Sequence, residues 1–151
     1  MRYYIIDGNN VIGKISSLKK LQLKDKQSSR EKLALMIERF FITKNVKISL
    51  HFDGHPNEKI KIQKGKIIYS KNLTADELVK KEIGHSKNPK NLIVVTSDSN
   101  LQEFARKCSC TIILSEEFSK QINLSALQDE ENNRIQELNN PNEFKKLFGV
   151  K

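Results

Sequence analysis

The sequence predicts an α/β fold in which helices cover both faces of a mainly parallel sheet of about five strands. Segments with the two-residue period of strands alternate with segments of helical period along the 151 residues, as in parallel-sheet proteins. Residues 92–95 are uninterrupted apolar residues, a pattern typical of a strand covered on both faces. A chain of this length can bury a sizeable core without disulfides or a structural metal.

The composition is that of a globular protein with a large excess of positive charge. The chain has 27 Lys and Arg against 18 Asp and Glu, a formal net charge of +9. This excess favours a polyanionic partner such as nucleic acid, although a lysine-rich genome would produce it as well. No apolar stretch is long enough to cross a bilayer, and Met1 and Arg2 lead directly into a strand without a signal peptide. We therefore expect a cytoplasmic protein that does not enter a membrane.

The strands follow from runs of β-favouring residues that end at polar or turn residues. The five strand segments are residues 3–6, 46–52, 67–69, 92–95 and 111–114. Ile60 and Ile62 also alternate with lysines, and the pair Lys64-Gly65 is typical of a turn. We therefore expect residues 59–62 and 67–69 to form a lysine-rich hairpin beside the sheet.

Helical patterns fill most of the chain between these strands. The expected helices lie at about residues 11–21, 28–43, 74–85, 99–107, 116–122 and 124–138. Ser28 or Ser29 is expected to cap the second helix. Thr74 and Glu77 form a capping box at the start of the third.

The predicted domain covers residues 1–122. Residues 123–151 are expected to form a helical extension that either packs on this domain or contacts a partner. The pattern breaks at Asn139-Asn140-Pro141, before a last turn that carries Phe144, Leu147 and Phe148.

Four aspartates lie where the predicted topology brings them to one edge of the sheet. Asp7, Asp53 and Asp98 each follow a strand, and Asp76 opens the helix after another, so right-handed crossovers place all four at the carboxyl edge. Each alone has a structural explanation as a turn former, a helix cap or a charge in a first helical turn. Together they would repel one another unless a cation lay between them. Oxygen ligands without His or Cys suit Mg²⁺ or Mn²⁺, and such a site can support phosphodiester hydrolysis.

Other sites common in α/β proteins fit the sequence less well. The chain has no Gly-x-Gly-x-x-Gly or Walker A sequence, and no serine lies in a nucleophile elbow. A receiver domain would pair two acidic residues after the first strand and carry a lysine where this chain has Ser115. Cys108 and Cys110 lack the second ligand pair of a zinc site, so we expect them to be small buried residues.

Three motifs follow one another along the chain in a specific order. They are Asp7-Gly8-Asn9-Asn10, Thr74-Ala75-Asp76-Glu77 and Val94-Val95-Thr96-Ser97-Asp98. Together they resemble the NYN domain, and within it the YacP-like branch of the PIN-like metal-dependent ribonucleases. The resemblance covers roughly residues 1–120. Further residues that fit it are Phe52-Asp53-Gly54, Ser70, Ser115 and Phe118.

This resemblance implies a PIN-like three-layer α/β/α sandwich, a divalent cation and endonucleolytic cleavage of RNA. It assigns Asp7, Asp76 and Asp98 as acidic ligands of Mg²⁺ or Mn²⁺. It assigns Asn10 as a residue that orients substrate or metal-bound water, and Asp53 as an accessory acid. Association with mRNA and translating ribosomes is also implied.

Further residues are candidates for contact with RNA. Thr96 and Ser97 either contact phosphate or cap the following helix, and His51 and His55 either touch RNA or lie at the surface. The basic residues expected either to contact the RNA backbone or to form a solvated face are Arg30, Lys59, Lys61, Lys64, Lys71 and Lys80. Neutralised phosphates would make binding weaken steeply with salt.

Two positions depart from the family pattern. Asn9 stands where the family commonly has an aromatic residue, and Asn100 stands where related domains often have a further Asp after Asp98. An alternative to the nuclease is therefore a non-catalytic RNA- or ribosome-binding module that retains the fold. An enzyme that acts on small phosphoesters is a third hypothesis. The sequence leaves the RNA target and the oligomeric state open.

Overall fold

The computed structural model describes residues 1–139, and side chains through residue 135. Within this part of the chain there are five strands, six α-helices and one 3₁₀ turn at Pro89–Asn91. The strands are β1 (Arg2–Asp7), β2 (Val46–Phe52), β3 (Gly65–Tyr69), β4 (Leu92–Val95) and β5 (Thr111–Ile113). The helices are α1 (Gly8–Ile12), α2 (Ser16–Lys24), α3 (Lys26–Phe40), α4 (Ala75–His85), α5 (Ser99–Lys107) and α6 (Ser115–Asn139).

The strands form a single parallel sheet in the order β3-β2-β1-β4-β5. β1 is the central strand, with Asp7 opposite His51 of β2 and Ile6 opposite Val95 of β4. The chain first adds strands on one side of β1 and then, from β4, on the other. The carboxyl ends of the strands therefore meet at one edge with a topological switch point between β1 and β4, where open α/β sheets bind their ligands.

Helices cover both faces of the sheet, which confirms the predicted three-layer α/β/α architecture. On one face, Ile6 of β1 packs in a cluster with Leu33 and Ile37 of α3. On the other face, Ile5 packs with Val79 of α4 and other buried residues of α5. Successive residues of β1 thus serve opposite cores, and each fully buried side chain of this kind contributes about 1.5–3 kcal/mol.

The first helices differ from the prediction in their bounds. The expected helix at residues 11–21 is two helices, α1 and α2. α3 begins earlier than expected because Asp25, rather than Ser28 or Ser29, is its N-cap, accepting a hydrogen bond from Ser28 N at 3.2 Å. Ser29 is buried and donates to the carbonyl of Leu18 instead. The predicted capping box of Thr74 is confirmed.

The predicted hairpin is wrong. Within the described residues, β3 pairs only with β2 and runs parallel to it, and residues 59–62 are not a strand. The two-residue alternation has another cause, because Ile62 is buried in the core and Ile60 packs against it. Gly65 brings β3 onto β2 so closely that a Cβ there would lie 1.7 Å from the Ile48 carbonyl oxygen.

The end of the described chain is one continuous helix. α6 runs without a break through the predicted gap between residues 122 and 124. The expected last turn with Phe144, Leu147 and Phe148 lies outside the described residues. Among residues 1–139, no helix is both long and apolar enough to cross a membrane.

Candidate active site

Asp7 ends the central strand beside the switch point. Its Oδ2 accepts a hydrogen bond from Thr96 Oγ1 at 3.1 Å. The next residue must be glycine for α1 to begin here, because a Cβ on Gly8 would lie 2.6 Å from the His51 carbonyl oxygen and 2.7 Å from the Phe52 ring. The close approach of α1 to β2 thus keeps Asp7 partly buried at the sheet edge.

The environment of Asp7 disfavours its charged form. Burial raises the pKa of Asp7 from 3.8 to about 6, although hydrogen bonds from Thr96 and the Asn10 N–H act to lower it. The nearby charges of Asp53 and Asp76 raise it further. A desolvated carboxylate that is also repelled by two others would be relieved by a bound cation. The charges of Asp53 and Asp76 therefore act on the Asp7 carboxyl across this edge of the sheet.

Asp53 positions the start of α4. Its Oδ1 accepts a hydrogen bond from Ala75 N, and its own N–H donates to Asn9 Oδ1, both at 2.8 Å. Gly54 follows with φ of +84°, in the left-handed region that suits glycine. Asn9, where the sequence departs from the family pattern, thus joins the ends of β1 and β2, and Asp53 joins β2 to the helix that carries Asp76.

Asp76 lies in the first turn of α4 and is already paired with a cation. Its Oδ2 lies 3.4 Å from Lys80 Nζ, one helical turn further on, and both side chains are about one-third exposed. Lys80, a candidate either for RNA contact or for a solvated face, thus lies beside Asp76. Any cation bound by Asp76 would share that carboxylate with Lys80.

Asp98 is exposed and caps α5. Its Oδ1 accepts a hydrogen bond from Leu101 N at 2.9 Å, and its own N–H donates to Thr96 Oγ1 at 3.1 Å. The Thr96 hydroxyl therefore links Asp98 to Asp7. Thr96 is fully buried and its hydroxyl is already bonded, so it is not placed to contact a phosphate. The N-cap of α5 is Asp98, and not Thr96 or Ser97.

Asn10 connects β1 to the loop after β4. Its Oδ1 accepts a hydrogen bond from Ser97 N at 3.0 Å. Ser97 Oγ in turn donates to Glu116 Oε2 at 2.6 Å and accepts from Ser115 N at 2.9 Å, so it is not free for a phosphate. Asn10 thus holds the β4 loop in place through its side chain, and its backbone N–H bonds to Asp7.

Glu116 is an acidic residue of this edge that the sequence reasoning missed. It lies in the first turn of α6, and its Oε1 is 3.0 Å from Lys14 Nζ. Hydrogen bonds from Ser97 and Lys14 lower the pKa of Glu116 to about 2. The sequence contained a signal for it, because Glu116 lies in the first turn of the helix after β5, just as Asp76 lies in the first turn of the helix after β3.

Arg30 is not an RNA contact. It is only 1% exposed, and its guanidinium lies over the adjacent rings of Phe52 and Tyr69, 5.3 and 5.4 Å from their centroids. Nη1 donates to the His55 carbonyl at 2.9 Å, and Nη2 donates to the Asp53 carbonyl. Arg30 therefore braces the loop after β2 from inside the protein.

Lys64 is also misassigned. It precedes β3, at the edge opposite the aspartates, and its ammonium donates to the carbonyls of Phe41, Ile42 and Lys44 after α3. A cation at that position satisfies carbonyls that the helix leaves unpaired.

The remaining lysines lie together. Lys59, Lys61 and Lys71 line one groove of about 460 Å³ against Tyr69 of the edge strand β3. Two histidines were candidates for RNA contact. His55 is exposed, with its Nε2 3.3 Å from Asn72 Oδ1. His51 is only 1% exposed and lies inside a side-chain network. A direct RNA contact by His51 is therefore excluded.

The predicted metal ligands share one edge without forming a complete cluster. Within residues 1–139, no three His, Cys, Asp or Glu side chains lie close enough together to hold an ion in common. This does not conflict with the chemistry of Mg²⁺, which is commonly held by one or two carboxylates, several waters and substrate phosphates. The oxygen-only donor set around Asp7 fits such an ion.

Comparison with known proteins identifies the family. Residues 4–148 match the family model of the YacP-like NYN domain. The chain belongs to this family. YacP-like NYN domains are PIN-like and usually nucleases, typically dependent on a divalent metal. The match continues well beyond residue 122, where the sequence placed the end of the domain.

Two solved structures share the YacP-like NYN fold of this chain. The crystal structure of Rae1 (YacP) from Bacillus subtilis has a TM-score of 0.76 at 21% identity, covering 99% of this chain and 88% of that one. A single-substitution mutant of Rae1 has a TM-score of 0.72 at 22% identity, covering 89% and 82%. At these identities the similarity demonstrates the fold alone. No curated protein matches the sequence.

Proposed function

We propose that this protein is a divalent-metal-dependent endoribonuclease that hydrolyses phosphodiester bonds of RNA, with mRNA as its substrate. The observation that supports it is the state of Asp7, which is partly buried and lies within the electrostatic reach of Asp53 and Asp76 at the switch point of a YacP-like NYN fold. That arrangement is electrostatically unfavourable, and a bound cation would relieve it and could then hold a substrate phosphate.

The side chains at the edge have distinct roles in this proposal. Asp7, Asp76 and Asp98 would hold Mg²⁺ or Mn²⁺, with waters and RNA phosphate completing its coordination. When bound, such a cation supplies positive charge to the reacting phosphate and lowers the pKa of a bound water. Asp53 and Asn10 keep α4 and the β4 loop in place around Asp7.

The RNA backbone would follow the basic side of the edge. Lys71 comes directly after Ser70 at the carboxyl end of β3 and shares the groove with Lys59 and Lys61, while Lys80 stands beside Asp76. Each phosphate neutralised by these lysines releases counterions, so affinity is expected to fall steeply with salt. Association with ribosomes and a cytoplasmic location remain predictions from the sequence.

The test is RNA cleavage by the full chain with Mn²⁺ or Mg²⁺ and with EDTA. Asp7→Asn and Asp98→Asn are compared with the control Glu103→Gln, which removes a charge from an exposed side chain of α5. We expect metal-dependent cleavage that falls at least about tenfold in both aspartate variants, since each 1.4 kcal/mol of lost transition-state stabilisation is tenfold in rate. If both variants cut as fast as the control, the proposal is refuted.

A second candidate function is a non-catalytic RNA- or ribosome-binding module. It is favoured by the absence, within residues 1–139, of three acidic side chains close enough to hold one ion. It predicts salt-sensitive RNA binding that survives EDTA and both aspartate substitutions. Cleavage that requires the metal and Asp7 would exclude it.

A further inference from the structure

A pocket of about 450 Å³ opens between the β2–β3 side of the sheet and α4, away from the aspartates. Its walls are mainly apolar and include Ile68, Leu78 and Leu92, and the exposed Lys66 and Lys81 stand at its rim. Pockets with this volume, apolar walls and few polar groups are typical of small-molecule and cofactor sites.

One corner of the pocket is formed by a carboxylate in a fixed position. Glu82 Oε1 lies 2.8 Å from both Ser49 Oγ and His51 Nε2, and Oε2 accepts a hydrogen bond from Tyr3 OH at 2.9 Å. Burial opposes ionisation of Glu82, but the hydrogen bonds from His51 and Ser49 lower its pKa below the ordinary value. Glu82 is thus an ionised, oriented acceptor beside an apolar pocket.

One acceptor position of this carboxylate remains open. A carboxylate offers about four lone-pair positions, and three short hydrogen bonds fill three of them. The ammonium of Lys66 lies 3.7 Å from Oε2, which is beyond hydrogen-bond length, and the Lys66 side chain is 60% exposed. A donor that entered the pocket could therefore bond to Oε2, while Lys66 turned toward an anion outside.

Stability alone does not account for this arrangement. Replacing a buried ionic network by well-packed apolar residues is often neutral or stabilising, and an open pocket leaves Ile68 and Leu78 without packing partners on one side. The polar corner, the apolar walls and the cationic rim together complement a flat heterocycle that carries N–H donors and a phosphate.

We propose that this pocket binds one unstacked nucleobase of the RNA, with an N–H group of the base donating to Glu82 and the adjacent phosphates against Lys66 and Lys81. The proposal rests on RNA being the substrate. Glu82 lies six residues beyond Asp76 on α4, about 9 Å along the helix axis and about 120° around it, so an RNA strand that reaches both places must pass around the helix. Uracil can offer only its N3–H, which is flanked by two carbonyl oxygens that a carboxylate repels, so bases with an exocyclic amino group bind more tightly.

The first test is a titration of the ¹⁵N-labelled full chain, in EDTA, with AMP, GMP, CMP, UMP and inorganic phosphate. We expect the amides of residues 66–68 and 78–82 to shift with the amino-bearing nucleotides, less with UMP, and little with phosphate alone. The proposal is overturned if these amides respond to phosphate as strongly as to the nucleotides, or if none of them responds to any nucleotide.

The second test measures binding of a short single-stranded RNA in EDTA. Leu78→Phe fills the pocket without changing charge, and the double variant Lys66→Ala/Lys81→Ala removes the rim. The control Lys32→Ala/Lys107→Ala removes the same charge from exposed positions elsewhere. Both pocket variants are expected to bind at least tenfold more weakly than the control, and the rim variant with a shallower salt dependence. Equal binding by the rim variant and the control overturns the proposal, whether or not Leu78→Phe folds.

Failure of this proposal and failure of the nuclease proposal give different results. If the pocket variants bind and cleave RNA like the control, the pocket has no role while metal-dependent cleavage by the parent stands. If the parent cleaves no RNA but its pocket amides respond to the amino-bearing nucleotides, the nuclease proposal fails and base binding remains.

Discussion

Replacing Asp7 with Asn is expected to stabilise the metal-free protein at neutral and alkaline pH. The asparagine keeps the shape of the side chain, and its single oxygen replaces the two carboxylate oxygens that accept from Thr96 and from the Asn10 N–H. It removes the charge that burial and the neighbouring Asp53 and Asp76 disfavour. Asp7, which we propose as a metal ligand, would then be a residue whose charge lowers the free energy of unfolding of the metal-free protein.

The size of the effect follows from the pKa of Asp7. A rise from 3.8 to about 6 corresponds to about 3 kcal/mol of preference for the neutral carboxyl in the folded state. Because the folded-state value is the higher one, this stability is present below about pH 4 and is lost as pH rises through 6. The variant does not undergo this loss, so its advantage approaches about 3 kcal/mol at pH 8. In a chain of this length that corresponds to about 6–12 °C in Tm.

The assay is thermal unfolding in EDTA at pH 4, 6 and 8, followed by the same series with Mn²⁺. An ion at one hundred times its dissociation constant stabilises the folded state by about 2.7 kcal/mol. We expect Mn²⁺ to stabilise the parent protein and to have much less effect on Asp7→Asn. Glu103→Gln, on the exposed face of α5, serves as the control and should remain within about 0.5 kcal/mol of the parent at each pH.

Two outcomes would contradict the reasoning. If Asp7→Asn were less stable than the parent at pH 8 in EDTA, the charge of Asp7 would be stabilising and not a cost. If the variant had the same advantage at pH 4 and at pH 8, the gain would come from packing and not from the titration of Asp7.

Three further predictions concern residues whose roles the structure revised. Arg30→Lys keeps the charge but loses the planar fork that bonds two carbonyls, so urea unfolding should show a loss of about 2 kcal/mol. Unchanged stability would contradict the bracing role. Lys64→Met should cost about 1 kcal/mol through the carbonyls after α3 and leave RNA affinity unchanged, and weakened RNA binding would restore the original prediction. Asp98→Ala should lose about 1 kcal/mol more than Asp98→Asn, because Asn still caps α5; equal stabilities would mean that the cap contributes nothing.

Most of the fold was predictable because its signals are local. The apolar runs of β1, β2 and β4, the capping box at Thr74 and the break at Asp98 lie within a few residues of the features they define. Right-handed crossovers between these strands then make the sheet parallel, and a parallel sheet brings Asp7 and Asp53 to the same edge. The effect of the Asp53 charge on Asp7 is a consequence of this topology, which neither motif contains alone.

The failures concern side chains whose partners are distant in sequence. Arg30 and Lys64 look like ordinary surface cations, and only the folded chain shows that they bond carbonyls more than twenty residues away. Ile60 and Ile62 alternate like a strand because both reach the core, although their backbone does not pair. Period alone cannot distinguish a strand from an irregular segment whose alternate residues are buried.

The aspartates of this edge divide into those that build it and those that remain available. Asp53 bonds the start of α4, and Asp98 bonds the start of α5 through one oxygen. Asp7 bonds a hydroxyl side chain and a neighbouring amide, and Asp76 meets the partly exposed ammonium of Lys80. An ion held by so few protein oxygens completes its coordination with waters, some of which phosphate oxygens of the RNA would replace. We therefore expect metal and RNA to bind cooperatively, with Mn²⁺ affinity rising when a non-cleavable RNA is present, and an unchanged Mn²⁺ affinity would show that the protein alone supplies the site.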